Sequence, residues 1–364
     1  MKKVLMLIPS LDAGGAERVM STLANGLCDT YSIEILKLKS DEPFYKLDEK
    51  VKVSSIGCTV NRKNKITSIF SKLKAGLKGF FGIKRYIKKT KPDVVVAFLG
   101  QMIKPVVIMR AFGGIKCKLI ISERADPYAR GKFYKWFEKK FFPKADAIVC
   151  QSKAVVDFFP KKAQKKCIVL ENPINSTAIP ERFQGERRKV IVGVGRLSEQ
   201  KNFKLLIEAF ANLNSSFGDY KLEIYGEGAQ RNELEKLIDK LNLSSKVFLM
   251  GIKKNVMHVI SDTSLFVLSS EFEGFPNVLI EAMASGLPVI TTDFSPGVAK
   301  EIVLEQNGLI VPRNNVKELT YAIESILSDE NKIESMSKEN VKIKDRLGED
   351  VILEKWKGVI DFEK

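Results

Sequence analysis

The chain has 364 residues, 45% hydrophobic and 29% charged, with 24 Gly and 13 Pro, the profile of a folded protein of about two ordinary domains. That excludes wholesale disorder, a collagen repeat and a disulfide or zinc scaffold, since Cys28, Cys58, Cys117, Cys150 and Cys167 are scattered and never form C-x-x-C. The formal net charge of +16 is uneven: residues 1–180 hold 35 Lys and Arg against 15 Asp and Glu, and the remainder 25 against 29. A basic first half points to an anionic partner, whether nucleic acid, an acidic membrane surface or a phosphorylated substrate.

The first predicted strand, 3–8, stops at Pro9-Ser10, too short a run for a signal peptide or a membrane span, so a cytoplasmic setting is expected. Further strands are predicted at 32–38, 93–98, 118–122, 147–150 and 167–170. After the turn-rich stretch 171–180, read as an interdomain linker, they continue at 190–194, 221–225, 247–249, 265–268, 288–291 and 309–311. Helix-length amphipathic segments separate most of them, which predicts an α/β protein of two doubly wound, Rossmann-like parallel-sheet domains. Ligands of such sheets lie at the carboxyl ends of the strands, so the loops that follow them are where chemistry belongs.

After the first strand, Gly14-Gly15-Ala16-Glu17-Arg18 opens a helix. Paired glycines admit close backbone approach to a ligand and a helix start attracts anions, although the loop reads equally as a glycine-rich turn with no ligand. It is not G-x-G-x-x-G, which disfavours a dinucleotide cofactor. In the second half, Gly195-Arg196-Leu197-Ser198-Glu199-Gln200-Lys201-Asn202 puts two cations before a helix, a diphosphate site by composition, with ordinary surface charges as the alternative. The stretch from Ser270 to Ile290 reads strand, loop, helix, glycine stop, strand. Its Glu273 lies in the loop and Glu281 in the helix, a pair able to hydrogen-bond sugar hydroxyls while amides near Asn277 hold phosphate. Either carboxylate alone reads as a solvated surface charge.

With Tyr225-Gly226-Glu227-Gly228, these stretches carry a resemblance over nearly the whole chain: it resembles the retaining glycosyltransferases of the GT-B fold, family 4, and especially the bacterial group that builds cell-surface or lipid-linked glycans. The resemblance implies two Rossmann-like domains facing a cleft, with domains 1–172 on the acceptor side and 173–345 on the nucleotide-sugar side. A C-terminal helix within 346–364, whose apolar stripe is visible at 351–360, is expected to cross back to the first domain. It implies that Arg196 and Lys201 neutralise the donor diphosphate, that Glu281 binds the ribose, and that Glu273 contacts the transferred sugar beside Gly274 and Phe275. Backbone amides of Asn277, Val278 and Leu279 add to the phosphate site, the Gly14-Gly15 loop closes over it, and Gly251-Ile252 flanks the nucleobase. No cofactor is implied, and the absence of a D-x-D motif matches the metal independence usual in the fold. Retention then proceeds by same-face attack or through a covalent carboxylate intermediate.

Many relatives carry a histidine after a first-domain strand, where this chain reads Ser122-Glu123-Arg124-Ala125-Asp126-Pro127; the one histidine, His258, falls in the second half and reads as a helix-surface or packing residue. Some bacterial members acting on lipid-linked oligosaccharides have a comparable segment, which assigns Glu123, Arg124 and Asp126, together with Glu17, to the acceptor side.

The basic half has two amphipathic stretches. From Lys50 to Pro92 there is no acidic residue and 13 are Lys or Arg; Ile66, Ile69, Phe70, Leu73, Leu77, Phe80 and Phe81 recur at helical spacing beside Lys72, Lys74 and Lys78. The stretch from Arg130 to Lys144 mixes six aromatics with six cations. Together with Lys161, Lys162, Lys165 and Lys166 these predict peripheral attachment to the anionic inner face of the cell membrane, against the alternative of a helix packed on its sheet with its lysines in water. The expected activity is transfer of a hexose or N-acetylhexosamine from a UDP-sugar to a polyprenyl-diphosphate-linked or other cell-envelope glycan, with GDP as the other open donor. The competing readings are a nucleotide-sugar epimerase of the same architecture, which calls for histidine and carboxylate acid/base groups, and a basic nucleic-acid-binding protein, for which no recognised module is present.

Overall fold

The computed structural model describes all residues except 13, 59–64, 125–126, 129, 176–178, 296 and 363–364, and gives the backbone alone for 65–73. The chain divides into two compact units, Met1–Pro173 with Glu349–Lys364, and Ile174–Gly348.

The first unit holds seven parallel strands: β1 (Lys3–Ile8), β2 (Ser32–Lys37), β3 (Lys52–Ser55), β4 (Val94–Phe98), β5 (Lys118–Ser122), β6 (Ala147–Cys150) and β7 (Cys167–Val169), in the order β3-β2-β1-β4-β5-β6-β7. Central strands are apolar on both faces: β4 is buried throughout and β1 is buried from Val4 onward, as a sheet covered on both sides requires. The sequence gives no warning of β3, a half-exposed edge strand with Val53 as its only apolar residue, too little for a period-two signal. On one side the helices Lys65–Thr90, Leu99–Ala111 and Lys132–Phe141 pack side by side, the middle one against both neighbours.

The helix Glu349–Asp361 belongs to this unit. It buries Ile352, Leu353, Trp356, Val359 and Ile360, with Trp356 6.0 Å from the Phe98 ring. A Cβ on Gly26 would stand 2.3 Å from Leu353 Cδ1, so glycine there lets the two helices close. Polar ties fix its end: Tyr31 donates to Asp361 at 2.7 Å, Lys2 pairs with the same carboxylate at 2.5 Å, and Lys118 Nζ donates to the Val359 and Ile360 carbonyls. Cation against terminal carbonyls is the favourable sense of the helix dipole.

The second unit has six parallel strands, β8 (Arg188–Val194), β9 (Lys221–Tyr225), β10 (Val247–Gly251), β11 (Thr263–Leu268), β12 (Val289–Thr292) and β13 (Gly308–Val311), in the order β10-β9-β8-β11-β12-β13. Strand order reverses between β8 and β11, and the carboxyl ends of strands at such a reversal are where sheets of this kind take ligands. Among the described residues, no helix is long and apolar enough to cross a membrane.

Candidate active site

The loops after β8 and β11 meet at that reversal. Asn202 begins the helix Phe203–Ala211, its side chain accepting the Leu205 N–H at 3.3 Å, an N-cap of ordinary chemistry. Its own amide donates to Glu271 Oε1 at 2.6 Å, and Glu271 N–H donates to the Gln200 carbonyl at 2.8 Å. Ser269 Oγ donates to the Lys201 carbonyl at 2.8 Å. These bonds clamp the two loops together and set Lys201 Nζ 2.5 Å from Glu273 Oε1, with the side chains only 15% and 9% exposed. Ser270 Oγ donates to the same carboxylate at 2.7 Å and Gln200 Nε2 approaches it at 3.4 Å.

Glycines make this geometry possible. A Cβ on Gly195 would lie 3.0 Å from the Lys201 stem, so the lysine crosses the loop where no side chain stands. Gly226, at φ +147°, would carry a Cβ only 1.8 Å from the Gly195 carbonyl oxygen, and one on Gly228 would meet the Leu197 carbonyl at 2.2 Å. The Tyr225-Gly226-Glu227-Gly228 stretch therefore packs its backbone directly on the Arg196 loop. Gly251 sits at φ +70° and accepts the Gly226 N–H at 2.9 Å, carrying Ile252 to a 76% exposed position. Between these loops lies a cavity of about 280 Å³ bordered by Arg196, Tyr225, Gly226, Glu227, Ile252 and Lys253. Arg196 is exposed on its rim, with no hydrogen-bond or ion-pair partner for its side chain among the described residues. Exposed Glu227 is held by Arg231 at 2.7 Å, which keeps its carboxyl below the ordinary range.

The Glu273 loop runs through Gly274 and buried Phe275 into the helix Asn277–Ala284, on which half-buried Glu281 lies. The helix closes in a Schellman turn: Gly286 N–H bonds to the Met283 carbonyl at 2.8 Å and Leu287 N–H to that of Ala282 at 3.0 Å, with Gly286 at φ +75°. At its start, Asn277 N–H already donates to Phe275 and Leu279 N–H to Pro276, while no backbone acceptor is paired with Val278 N–H among the described residues.

In the first unit, the helix Gly15–Leu27 takes Gly14 as its N-cap. Glu17 folds back so that a Cβ on Gly14 would lie 2.0 Å from its Oε2, and desolvation raises its pKa, aided by nearby Asp12. Asp12 is tied to Lys39 at 2.6 Å, which lowers its carboxyl to about 2.

The loop after β5 is anchored from beneath. Glu123 is fully buried, accepts the Arg124 N–H at 3.0 Å and takes Arg130 Nη2 at 2.7 Å; Arg130 also pairs with buried Glu138. Arg124 lies 4.1 Å over the Phe98 ring and bonds to Asn172, while its Nε and Nη2 are buried with no hydrogen-bond partner among the described residues. Burial lowers its pKa to about 9. Asp126 lies outside the described residues. His258 is exposed on the short helix Val256–Ile260.

Sequence reasoning passed over Ser270, Gln200 and Arg130. The first two stand inside motifs it quoted, beside residues whose charge drew the attention; Arg130 was counted among surface cations, and nothing local marks it as the partner of two buried carboxylates.

A family model described as Glycosyltransferase Family 4 matches residues 13–177, and one described as Glycosyl transferases group 1 matches 176–342. Among curated relatives, the GalNAc-alpha-(1->4)-GalNAc-alpha-(1->3)-diNAcBac-PP-undecaprenol alpha-1,4-N-acetyl-D-galactosaminyltransferase of Campylobacter jejuni is 30% identical, covering 91% of this chain and 90% of its own length. The N-acetylgalactosamine-N,N'-diacetylbacillosaminyl-diphospho-undecaprenol 4-alpha-N-acetylgalactosaminyltransferase of the same organism is 31% identical over 91% of each chain. Among solved structures, sucrose-phosphate synthase from Thermosynechococcus elongatus superposes with a TM-score of 0.84 at 17% identity, covering 99% of this chain and 98% of its own. Anabaena HepE in complex with UDP gives 0.77 at 18% identity over 99% of each chain.

Proposed function

Because the chain belongs to the family 4 and group 1 glycosyltransferases and has their GT-B fold, we propose that it transfers an N-acetylhexosamine or hexose from a UDP-sugar, with retention, to a glycan carried on a polyprenyl diphosphate. The observation that carries this reading is the meeting of the two loops after β8 and β11, with Lys201 2.5 Å from Glu273 and a free Arg196 at the rim of the adjoining cavity. The UDP bound by HepE supports the donor, and the undecaprenyl-linked acceptors of the two Campylobacter relatives support the acceptor.

The hard part of the reaction is the charge that grows on the departing diphosphate, and fixed cations with a preorganised amide stabilise that charge more than they stabilise the intact donor. Arg196 reaches the diphosphate from the rim and Val278 N–H from the helix start. Lys201 bridges the diphosphate and Glu273, so that one lysine couples the leaving group to the carboxylate facing the sugar. Glu281 takes the ribose hydroxyls, and the Gly251-Ile252 turn flanks the base. On the acceptor side Glu17, Arg124 and Asp126 receive the glycan, with buried Glu123 holding the loop in shape. In same-face attack the leaving phosphate oxygen takes the acceptor hydroxyl's proton as the new glycosidic bond forms.

The protein works at the anionic inner face of the membrane, where such acceptors reside. Incubation with a panel of UDP- and GDP-sugars and short polyprenyl-diphosphate-linked glycans tests the reading. UDP release that requires both an N-acetylhexosamine donor and the lipid-linked glycan is expected; interconversion of the donor without acceptor would instead identify an epimerase.

A further inference from the structure

The helix Lys132–Phe141 carries aromatics on both faces: Phe137 and Phe141 are half-buried against the core of the first unit. Its one buried residue is Glu138, locked to Arg130, while Phe133, Tyr134 and Trp136 are 68%, 46% and 52% exposed. A helix that faces only water on its outer side carries polar residues there, not three rings. The exposed rings adjoin one another: Phe133 is 5.8 Å from Trp136 and 6.0 Å from Tyr134, and Trp136 extends to Phe141 at 6.4 Å.

Cations surround them. Lys140 Nζ lies 4.9 Å from the Trp136 ring. At the C-terminal end of the helix a cavity of about 630 Å³ is bordered by Arg110, Lys139, Lys140, Lys144, Lys162 and Lys166, with Asp146 its single acid. That acid is occupied by Arg110 at 2.8 Å, and Lys166 donates to the Pro143 and Ala145 carbonyls. Lys139, Lys140, Lys144 and Lys162, all exposed, are paired with no carboxylate among the described residues. The same helical layer carries a second apolar pair, Leu77 and Phe81, 52% and 61% exposed and flanked by exposed Lys74, Lys78, Lys84 and Arg85.

We propose that this helical layer of the first unit, centred on Lys132–Phe141, is the face that rests on an anionic phospholipid bilayer, with Phe133 and Trp136 among the headgroups and Lys139, Lys140, Lys144 and Lys162 against their phosphates. Aromatic rings favour the headgroup level and lysines the phosphates beside them. Single-stranded nucleic acid fits less well, because it stacks on rings inside a cationic groove. Here Phe133 and Trp136 border neither cavity at the two ends of the helix. The assignment rests on the lipid-linked acceptor proposed above and adds a mechanical link: through Glu138 and Arg130 the bilayer-facing helix is bolted to Glu123 in the acceptor-side loop.

The chain has two tryptophans, and Trp356 is wholly buried, so Trp136 reports on this face in the unmodified protein. Phosphatidylglycerol vesicles at low salt are expected to shift its emission to the blue and shield it from acrylamide. Phosphatidylcholine vesicles are expected to do neither, and high salt to reverse the effect. Lys139→Glu with Lys140→Glu should weaken partitioning at least tenfold, at roughly fivefold for each lysine lost, and Phe133→Ser should weaken it without altering the melting temperature. No Trp136 response to phosphatidylglycerol, a response indifferent to the lysine substitutions, or a response to single-stranded RNA in place of vesicles would each overturn the assignment. Sugar transfer to a lipid-linked glycan in detergent micelles needs no bilayer: transfer there with a silent Trp136 removes this inference alone, and loss of transfer with a responsive Trp136 removes the proposed reaction alone.

Discussion

The two units carry ionic clusters at corresponding edges of their sheets and use them oppositely. In the second unit, Lys201 and Glu273 pair one to one across two loops, at 15% and 9% exposure, while Arg196 is exposed. In the first, Arg130 is sunk between Glu123 and Glu138, whose side chains are wholly buried. A carboxylate with two neutral donors besides its lysine can give up that cation to a ligand phosphate, whereas two wholly buried carboxylates around one guanidinium cannot lose theirs. Under the proposed function, the Lys201 cluster serves the donor and the Arg130 cluster holds shape.

Crossed substitutions break or sharpen this contrast. Arg130→Met strands two buried carboxylates and should cost about 3–5 kcal/mol of stability, read as a large drop in melting temperature or failure to fold. Arg196→Ala and Lys201→Ala should each lower turnover by about 10²–10³. Lys201→Ala should cost clearly less stability than Arg130→Met, since it strands one carboxylate rather than two and Ser270 and Gln200 still bond to Glu273. If Lys201→Ala unfolds the protein and Arg130→Met leaves it stable, the contrast is inverted.

Gly226→Ala drives a Cβ into the Gly195 carbonyl from a left-handed φ and should cost about 1–3 kcal/mol, with a loss of UDP affinity that donor-independent properties do not share. The smallest effect belongs to Asp12, whose carboxyl lies at about 2 in the folded protein because Lys39 bonds to it. The folded value is depressed, so the contribution is present above the ordinary value near 4 and disappears as pH falls through about 2. Both side chains are more than half exposed, so screening holds it below about 1 kcal/mol. Lys39→Met should change acid unfolding slightly in that window and leave activity at neutral pH intact.

How far the sequence foretells these differences follows from where the chemistry is written. In the second unit, Lys201 and Glu273 fall in loops flanked by strong strand and helix signals, so their convergence follows once the order of β8 and β11 is known. The Gly226 and Gly228 contacts explain why that stretch has two glycines, but the backbone collision they avoid is visible only in three dimensions. In the first unit, Glu138 sits among lysines and rings on a helix whose periodicity gives no reason to bury it. The pairing with Arg130, which buries Glu138 beside Phe137 and Phe141, is a tertiary event. The edge strand β3 stayed hidden because Lys52, Ser54 and Ser55 carry no burial pattern.

The central claim is that Arg196 and Lys201 hold the diphosphate of the donor. Calorimetric titration of UDP and of uridine into the wild-type protein and into Arg196→Ala with Lys201→Ala tests it directly. UDP should bind the wild type at least tenfold tighter than uridine, one charge contact of about 1.4 kcal/mol or more, and the double variant should bind the two alike. An undiminished preference for UDP in the double variant would contradict it.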